Sequence, residues 1–162
     1  MNNLPKKLES KAKIRFQDCD PFNHLNNSKY LDYYINARED QLLQYYNLDL
    51  FKIIREDKLG WVVSSSQISY LKPTFTMEDV VIETQLIQYS PKHLMIEGLM
   101  WNSDKTILKS FCWMGFIHFN LKTNQVESHS EKFMNLFNEV NNPLSEISFN
   151  ERELRFRSRK VS

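Results

Sequence analysis

Glycine is scarce in this sequence, which has 162 residues of which three are glycine. An average protein has about 7% glycine. The three lie far apart, at Gly60, Gly98 and Gly115, so no glycine-rich loop can cradle a phosphate group. This spacing excludes the P-loop and the dinucleotide-binding fingerprint, because both need closely spaced glycines.

Cysteine and long apolar runs are also lacking. Cys19 and Cys112 form no CxxC pair and cannot build a disulfide framework, so we expect reduced thiols and a cytoplasmic protein. The N-terminal lysines are not followed by an apolar stretch, and no apolar run approaches the roughly 18 residues of a spanning helix. We therefore expect neither a secretory signal nor a membrane span. The four histidines lack metal-ligand spacing, so no metal site is expected.

The sequence also lacks an excess of either acidic or basic residues, since its formal net charge at pH 7 is +1. A dedicated nucleic-acid binder carries a basic excess, so we expect no nucleic-acid partner. The length predicts one main domain, at residues 1–142, followed by a basic tail at 143–162. This tail has five cations against three glutamates. It is either solvated or, since apolar and basic residues alternate in it, an edge strand that could contact phosphate.

The periodicity of apolar residues predicts an α+β class. We expect a short strand, a long helix, four consecutive strands and a last helix, at Lys13–Asp18, Ser28–Tyr46, Trp61–Leu71, Val80–Leu86, Leu94–Trp101, Ile107–Phe119 and Glu131–Val140. Short turns between the last strands make those strands antiparallel neighbours. The last strand is apolar on both faces, so both should be covered. One long helix covers one face only, which favours self-association through the other.

The densest polar cluster runs from Asp18 to Asn27, between the first strand and the long helix. It places carboxylates just before a helix N-terminus, whose unpaired N–H groups bind anions and developing oxyanions. Such a carboxylate can attack a carbonyl or activate water to do so. Aspartate and asparagine are equally typical of helix caps and turns, and this structural role is the alternative.

The segment from Ile14 to Leu31 resembles the opening motif of the hotdog-fold acyl-CoA thioesterases. The branch concerned contains 4-hydroxybenzoyl-CoA thioesterase and the bacterial long-chain acyl-CoA thioesterases. Its motif is Asp-x-Asp, then a His-x-Asn-Asn-x-x-Tyr-Leu run that opens a long helix. Residues 68–73 and 78–84 are similar to the family's second and third strands, and the resemblance covers roughly residues 12–138.

This resemblance implies a role for each residue of the motif. Asp20 corresponds to the catalytic carboxylate, as nucleophile or general base, and the backbone N–H of Asn27 to the group that polarises the thioester carbonyl. His24 and Asn26 are expected to hold the turn and cap the helix, with a direct substrate role as the alternative. Asp18 could compete for the catalytic role, but we expect it to fix the turn.

Two departures from the family pattern matter. Many relatives have glycine where this chain has Asn23, and asparagine is the next most tolerant residue of left-handed backbone, so we expect the turn to survive. Relatives of the hydroxybenzoyl type hold the CoA phosphates with a basic cluster. In this chain only Lys92 matches that cluster. The basic tail is another candidate for that contact. Ser64–Ser66 could touch substrate across a dimer interface, although small polar residues are ordinary on a strand.

The sequence thus predicts a hotdog domain, an antiparallel sheet wrapped around one long helix, assembled as a homodimer or homotetramer. The resemblance implies hydrolysis of fatty or aromatic acyl-CoA thioesters, with coenzyme A as part of the substrate and no cofactor. Two alternatives stay open: the same reaction on acyl carrier protein, and a non-catalytic protein that binds acyl thioesters.

Overall fold

The computed structural model describes residues 3–159. Its strands are β1 Lys7–Lys13, β2 Leu59–Tyr70, β3 Asp79–Tyr89, β4 His93–Asn102, β5 Leu108–Asn120 and β6 Gln125–Val126. Its helices are α1 Tyr30–Tyr46, α2 Leu50–Asp57, α3 Glu131–Val140 and α4 Phe149–Ser158, and two 3₁₀ turns lie at Phe16–Asp18 and Asn27–Lys29. No helix within 3–159 is long and apolar enough to cross a membrane.

All the strands belong to one antiparallel sheet with the order β1-β3-β4-β5-β2, and β6 pairs with β5. The predicted antiparallel neighbours β3, β4 and β5 are confirmed, but β2, the first strand of the predicted meander, pairs with β5 and not with β3. Strand β2 lies at one edge, and its segment from Val62 to Gln67 is exposed. An exposed edge presents unpaired backbone groups that another chain can pair with.

Helix α1 packs against one face of this sheet, as predicted. Tyr34 is fully buried, and a Cβ added at Gly98 of β4 would lie 2.5 Å from its ring. Glycine therefore allows the helix to approach the strand. The hydroxyl groups of Tyr34 and Ser110 share a hydrogen bond of 2.6 Å, so this buried phenol is satisfied. Burial of such side chains stabilises the fold by about 1.5–3 kcal/mol each.

The opposite face of the sheet is covered by the chain's own helix α4. The ring of Phe149 stacks on Phe111 at 4.6 Å, and that of Phe156 meets Phe111 edge-on at 4.9 Å. Both faces of β5 are therefore covered, as predicted. The covering element was not foreseen, so the apolar far face does not by itself require a second copy.

Two predicted elements were wrong. The expected strand Lys13–Asp18 lies at Lys7–Lys13, and Phe16–Asp18 is a 3₁₀ turn. The pairing with β3 determines where β1 lies, because the residues of β1 show only a weak apolar alternation. The possible edge strand in the tail is helix α4, whose N-terminus is capped by Ser148. Lys160, the last of the five tail cations, lies outside the described residues.

Candidate active site

A tight turn follows the first 3₁₀ turn and holds Asp20. The backbone N–H of Asp20 donates to the carbonyl of His24 at 2.8 Å, and the N–H of Asn23 donates back to the carbonyl of Asp20 at 3.0 Å. Asn23 has a φ of 65°, in the left-handed region. Asparagine therefore takes the left-handed conformation at this position, and the expectation that the turn survives is confirmed.

The two carboxylate oxygens of Asp20 have different surroundings. Oδ1 accepts hydrogen bonds from the N–H of Phe22 at 2.9 Å and from that of His24 at 3.1 Å. Oδ2 has no donor among residues 3–159. The turn thus fixes the carboxylate through one oxygen and leaves the other available.

The helical segment begins at Asn27, immediately after its cap. The side chain of Asn26 accepts from the N–H of Ser28 at 3.0 Å and from its hydroxyl at 2.9 Å. The N–H of Asn27 stands at the first position of the turn, where no intrahelical acceptor exists, and no described residue accepts from it. The carbonyl of Asn27 accepts from the Tyr70 hydroxyl at 2.9 Å, which ties β2 to this terminus.

Asp20 and Asn27 line one open cavity of about 270 Å³. Its other lining residues are His24, Leu25, Tyr30, Tyr70, Leu71, Lys72 and Pro73. The structure therefore places three residues on one cavity: Asp20, which has a carboxylate oxygen without a described donor, Asn27 at the start of the helical turn, and the exposed Lys72. Such a set can activate a nucleophile, stabilise an oxyanion and attract a negatively charged ligand.

Tyr70 and Lys72 are cavity residues that the sequence did not reveal as candidates. Both belong to the stretch similar to the family's second strand, but the fold, rather than sequence spacing, brings that stretch back to the turn. The ring of Tyr70 also contacts that of Tyr30 edge-on at 5.0 Å. A lysine directly before Pro73 would have been the available signal, since proline ends the strand there.

Asp18 braces the start of α1. Its Oδ2 accepts from the Tyr33 hydroxyl at 2.6 Å, and its carbonyl accepts from the N–H of Asn26 at 2.9 Å. Burial, together with the hydrogen bond to Asp18, raises the pKa of Tyr33 to about 12. Asp18 is absent from the cavity wall, so its place matches a role in holding the turn and helix together.

The remaining predicted site residues lie in different places. His24 lines the cavity, and its ring contacts Phe75 edge-on at 5.1 Å. Lys92 is exposed in the turn between β3 and β4, where its carbonyl accepts from the N–H of His118, and it does not line this cavity. Within one chain, the structure does not bring Lys92 and Asp20 together.

Three of the four arginines in the tail are held by carboxylates. Arg152, Arg155 and Arg157 pair with Glu97, Glu146 and Glu153 at 2.7, 2.6 and 2.9 Å. These ion pairs neutralise three of the cations that the tail would offer to phosphates. Residues Phe149–Ser158 of the tail form a helix that is docked on the sheet. Residues 3–159 contain no group of three or more His, Cys, Asp or Glu residues placed to hold a metal ion.

An antiparallel sheet around one helix, with an aspartate beside the helix start, is the arrangement expected of the hotdog thioesterases. The chain belongs to the thioesterase-like superfamily, whose family model matches residues 14–141. The predicted family and enzyme class, thioester hydrolase, are thereby confirmed. The long-chain acyl-CoA thioesterase FadM of Escherichia coli K12 is 25% identical over 116 residues, which cover 72% of this chain and 86% of that protein.

Solved structures confirm the hotdog fold. SAV2348 of Staphylococcus aureus, solved in complex with CoA, superposes with a TM-score of 0.76 at 15% identity and covers 92% of this chain and 93% of its own. Slr0204, a 1,4-dihydroxy-2-naphthoyl-CoA thioesterase from Synechocystis, gives 0.74 at 12% identity, with coverage of 85% and 99%. YbaW of Escherichia coli, a probable thioesterase, gives 0.70 at 21% identity, with coverage of 83% and 99%.

Proposed function

We propose that the protein hydrolyses acyl-CoA thioesters to a free carboxylic acid and CoA, at the cavity between Asp20 and Asn27. The observation that carries this proposal is that one cavity is lined both by Asp20, whose Oδ2 has no donor among the described residues, and by Asn27, whose N–H has no acceptor among them. The acyl-CoA thioesterase FadM supports CoA as the carrier. The binding of CoA by a structural neighbour supports it as well.

In this mechanism the thioester carbonyl oxygen accepts a hydrogen bond from the N–H of Asn27. As a general base, Asp20 takes a proton from water, and the resulting hydroxide adds to the carbonyl carbon. The oxyanion then collapses, the C–S bond breaks, and the proton passes to the CoA sulfur. As a nucleophile, Asp20 displaces the CoA thiolate to form an anhydride, which water hydrolyses. The positive end of the helix stabilises the oxyanion in both routes.

Cations hold the CoA phosphates in this proposal. Lys72 is the ammonium group on the cavity wall, and it is exposed. Lys92, which the resemblance implies for the same contact, lies outside the cavity of its own chain. A second copy could supply it, since β2 is an exposed sheet edge next to the residues of this cavity. We therefore propose a homodimer or homotetramer.

The decisive experiment is hydrolysis by the Asp20→Asn variant, followed with a thiol reagent. Asparagine keeps the oxygen that accepts from the two backbone amides but cannot act as a base or nucleophile. We expect turnover to fall by about 10²–10⁴-fold. Asp57→Asn is the matched control, because Asp57 is an exposed aspartate at the end of α2. Turnover of Asp20→Asn at the parent rate would refute the site assignment.

The substrate class requires a panel rather than one compound. Acyl-CoAs of graded chain length and one aroyl-CoA should be compared with the same acyl groups on acyl carrier protein. Faster turnover of the carrier-protein esters would show that the acyl group is carried by acyl carrier protein rather than by CoA. Tight binding of every ester without turnover, by protein with Asp20 intact, would instead indicate a non-catalytic binding protein.

A further inference from the structure

Tyr70 is the last residue of β2 and lines the candidate active site. Its backbone is held by pairing with Ser110 of β5. Side chains alternate across a strand, and the hydroxyl of the preceding Ser69 donates to Glu153 of α4 on the far face of the sheet. Tyr70 therefore points to the opposite face, where its ring contacts that of Tyr30 on α1 edge-on at 5.0 Å. The strand and this ring contact together hold the side chain in one place.

The hydroxyl of Tyr70 reaches from the sheet to the first helical turn, where it donates to the carbonyl of Asn27 at 2.9 Å. That carbonyl belongs to the peptide group between Asn27 and Ser28, whose N–H donates to the side chain of Asn26 at 3.0 Å. Both polar atoms of this peptide group thus have partners. The peptide group directly before it carries the N–H of Asn27, from which no described residue accepts, and its carbonyl accepts from the N–H of Lys29 at 2.8 Å.

The start of this helical segment needs such support. Asn27–Lys29 is a 3₁₀ turn of three residues, and the first turn of a helix frays because its N–H groups have no intrahelical acceptors. Lys29, the N-cap residue of α1, forms no side-chain hydrogen bond with that helix. A donor stabilises an oxyanion best when it already points at the place where the charge develops. A contact that fixes the turn therefore acts on the reaction through the N–H of Asn27.

The hydroxyl of Tyr70 is not free to protonate a substrate. A tyrosine has one O–H, and here that O–H is donated to the carbonyl of Asn27. Burial raises the pKa of the Tyr70 phenol above its ordinary 10, so the proton stays on the oxygen throughout the neutral range. The side chain is thus a constant donor to the helix start rather than an acid for the leaving group.

We propose that Tyr70 is a positioning residue, whose hydroxyl holds the peptide group after Asn27 so that the N–H of Asn27 points at the thioester carbonyl oxygen. This role rests on the proposed hydrolysis, because the same N–H stabilises the oxyanion there. The carbonyl oxygen is common to all acyl thioesters, whereas the acyl group varies. Tyr70 therefore raises kcat by a similar factor for every acyl group and changes KM little, as expected of an interaction that matters mainly in the transition state.

The kinetics of Tyr70→Phe test the proposal, because phenylalanine keeps the ring and removes the hydroxyl alone. We expect kcat for acyl-CoA hydrolysis to fall by about tenfold and KM to change by less than about twofold. Tyr45→Phe is the matched control, since the hydroxyl of Tyr45 also donates to a backbone carbonyl, that of Glu9, at 3.0 Å and outside the cavity. We expect this control to keep the parent kcat. Parent-like kcat in Tyr70→Phe, or an equal loss in Tyr45→Phe, would overturn the proposal.

A change of acyl group separates positioning of the N–H from recognition of the acyl chain. The ratio of the parent kcat to that of Tyr70→Phe should be measured for butanoyl-CoA, dodecanoyl-CoA and benzoyl-CoA, as far as the parent hydrolyses them. We expect the ratios to agree within about twofold, because the carbonyl oxygen is the same in each. A ratio that rises steadily with chain length would assign Tyr70 to the acyl chain and overturn the proposal.

Amide hydrogen exchange, followed by NMR, measures the held turn without any substrate. The Ser28 amide should exchange about fivefold faster in Tyr70→Phe than in the parent, and at the parent rate in Tyr45→Phe. Unchanged exchange at Ser28 would overturn the proposal even if Tyr70→Phe lost activity. If the parent hydrolysed no acyl-CoA, or if Asp20→Asn kept the parent turnover, the proposed function would fail, and exchange at Ser28 would still decide whether Tyr70 holds the helix start.

Discussion

Two carboxylates, Asp20 and Glu97, show how differently this fold treats the same chemical group. Asp20 sits in a partly exposed turn, where one oxygen accepts two backbone hydrogen bonds and the other has no donor within residues 3–159. Glu97 is fully buried on the far face, and both its oxygens are occupied by donors from Gln85, Trp113 and Arg152.

This difference is more informative than burial alone. A carboxylate whose oxygens are all occupied has no lone pair left for a substrate, so Glu97 serves to fasten α4 to the sheet. A carboxylate held through one oxygen is oriented but still available, which is what a base or nucleophile requires. We expect substitutions at the two sites to have opposite consequences, one for stability and the other for turnover.

Glu97→Ala should have the largest effect on stability. The substitution removes the carboxylate that accepts two hydrogen bonds from the half-buried Arg152, which keeps only its longer pair with Glu146, and it removes the acceptor of the Trp113 indole. We expect the free energy of unfolding to fall by about 3–5 kcal/mol, measured by urea denaturation. Glu56→Ala, at an exposed glutamate of α2, should change it by less than about 0.5 kcal/mol.

Turnover by the folded fraction of Glu97→Ala should stay near the parent value, in contrast to Asp20→Asn. A loss of turnover in folded Glu97→Ala, without a loss of stability, would remove the distinction between the two carboxylates.

Acid should weaken the α4 side through Glu146. Burial alone would raise the pKa of Glu146, but hydrogen bonds from Arg155 and Ser145 and the charge of Arg152 hold it at about 2, below its ordinary 4.5. The unfolded chain therefore binds this proton first as pH falls. The stabilisation is complete above pH 4.5 and is lost as pH falls towards 2.

This contribution is measured as the difference in unfolding free energy between the parent and Glu146→Gln at several pH values. The difference should shrink steadily below pH 4.5 and vanish near pH 2. A difference that is independent of pH would show that Glu146 acts through packing rather than through its charge.

The smallest effect concerns the turn that holds Asp20. Asn23→Ala should destabilise the protein by about 1 kcal/mol, because alanine tolerates the left-handed backbone at φ 65° less well. Asn23→Gly should change the unfolding free energy by less than about 0.5 kcal/mol, since glycine takes this conformation freely but loses more entropy on folding. Thermal unfolding measures the stability of both variants. Equal stabilities would show that the turn is not strained.

Much of the fold could be predicted from apolar periodicity. The meander strands were predicted to within about three residues at each end, and α3 was predicted with the bounds that it has. These elements are long and strongly patterned, so local sequence decides them. Helix α2 and the position of β1 were missed, because a short helix and a weakly patterned edge strand depend on tertiary contacts.

The buried side of α1 shows a second limit of prediction from apolar periodicity. Arg38 and Gln41 are buried although both are polar, so a search for apolar positions passes over them. Their burial depends on Thr84 and the carbonyl of Ile82, which lie on β3. No spacing along the chain indicates partners more than forty residues away.

The candidate site also has a part that could be predicted from the sequence and a part that could not. The turn and the cap lie within one short segment, so Asp20 and Asn27 could be identified as candidates from sequence and resemblance. Tyr70 and Lys72 enter the cavity from another strand, and the pairing of that strand was needed to find them. The cations of the tail were visible in the sequence, but Glu97, the partner of Arg152 on the sheet, was not.

The ion pair between Glu97 and Arg152 also sets an order of events during synthesis. Its members are 55 residues apart, so Glu97 leaves the ribosome well before Arg152 has been made. At about 5–20 residues per second, the gap lasts roughly 3–11 seconds. During that interval the sheet cannot bury Glu97 without leaving a charge unpaired. We therefore expect the far side of the sheet to stay hydrated until α4 supplies Arg152.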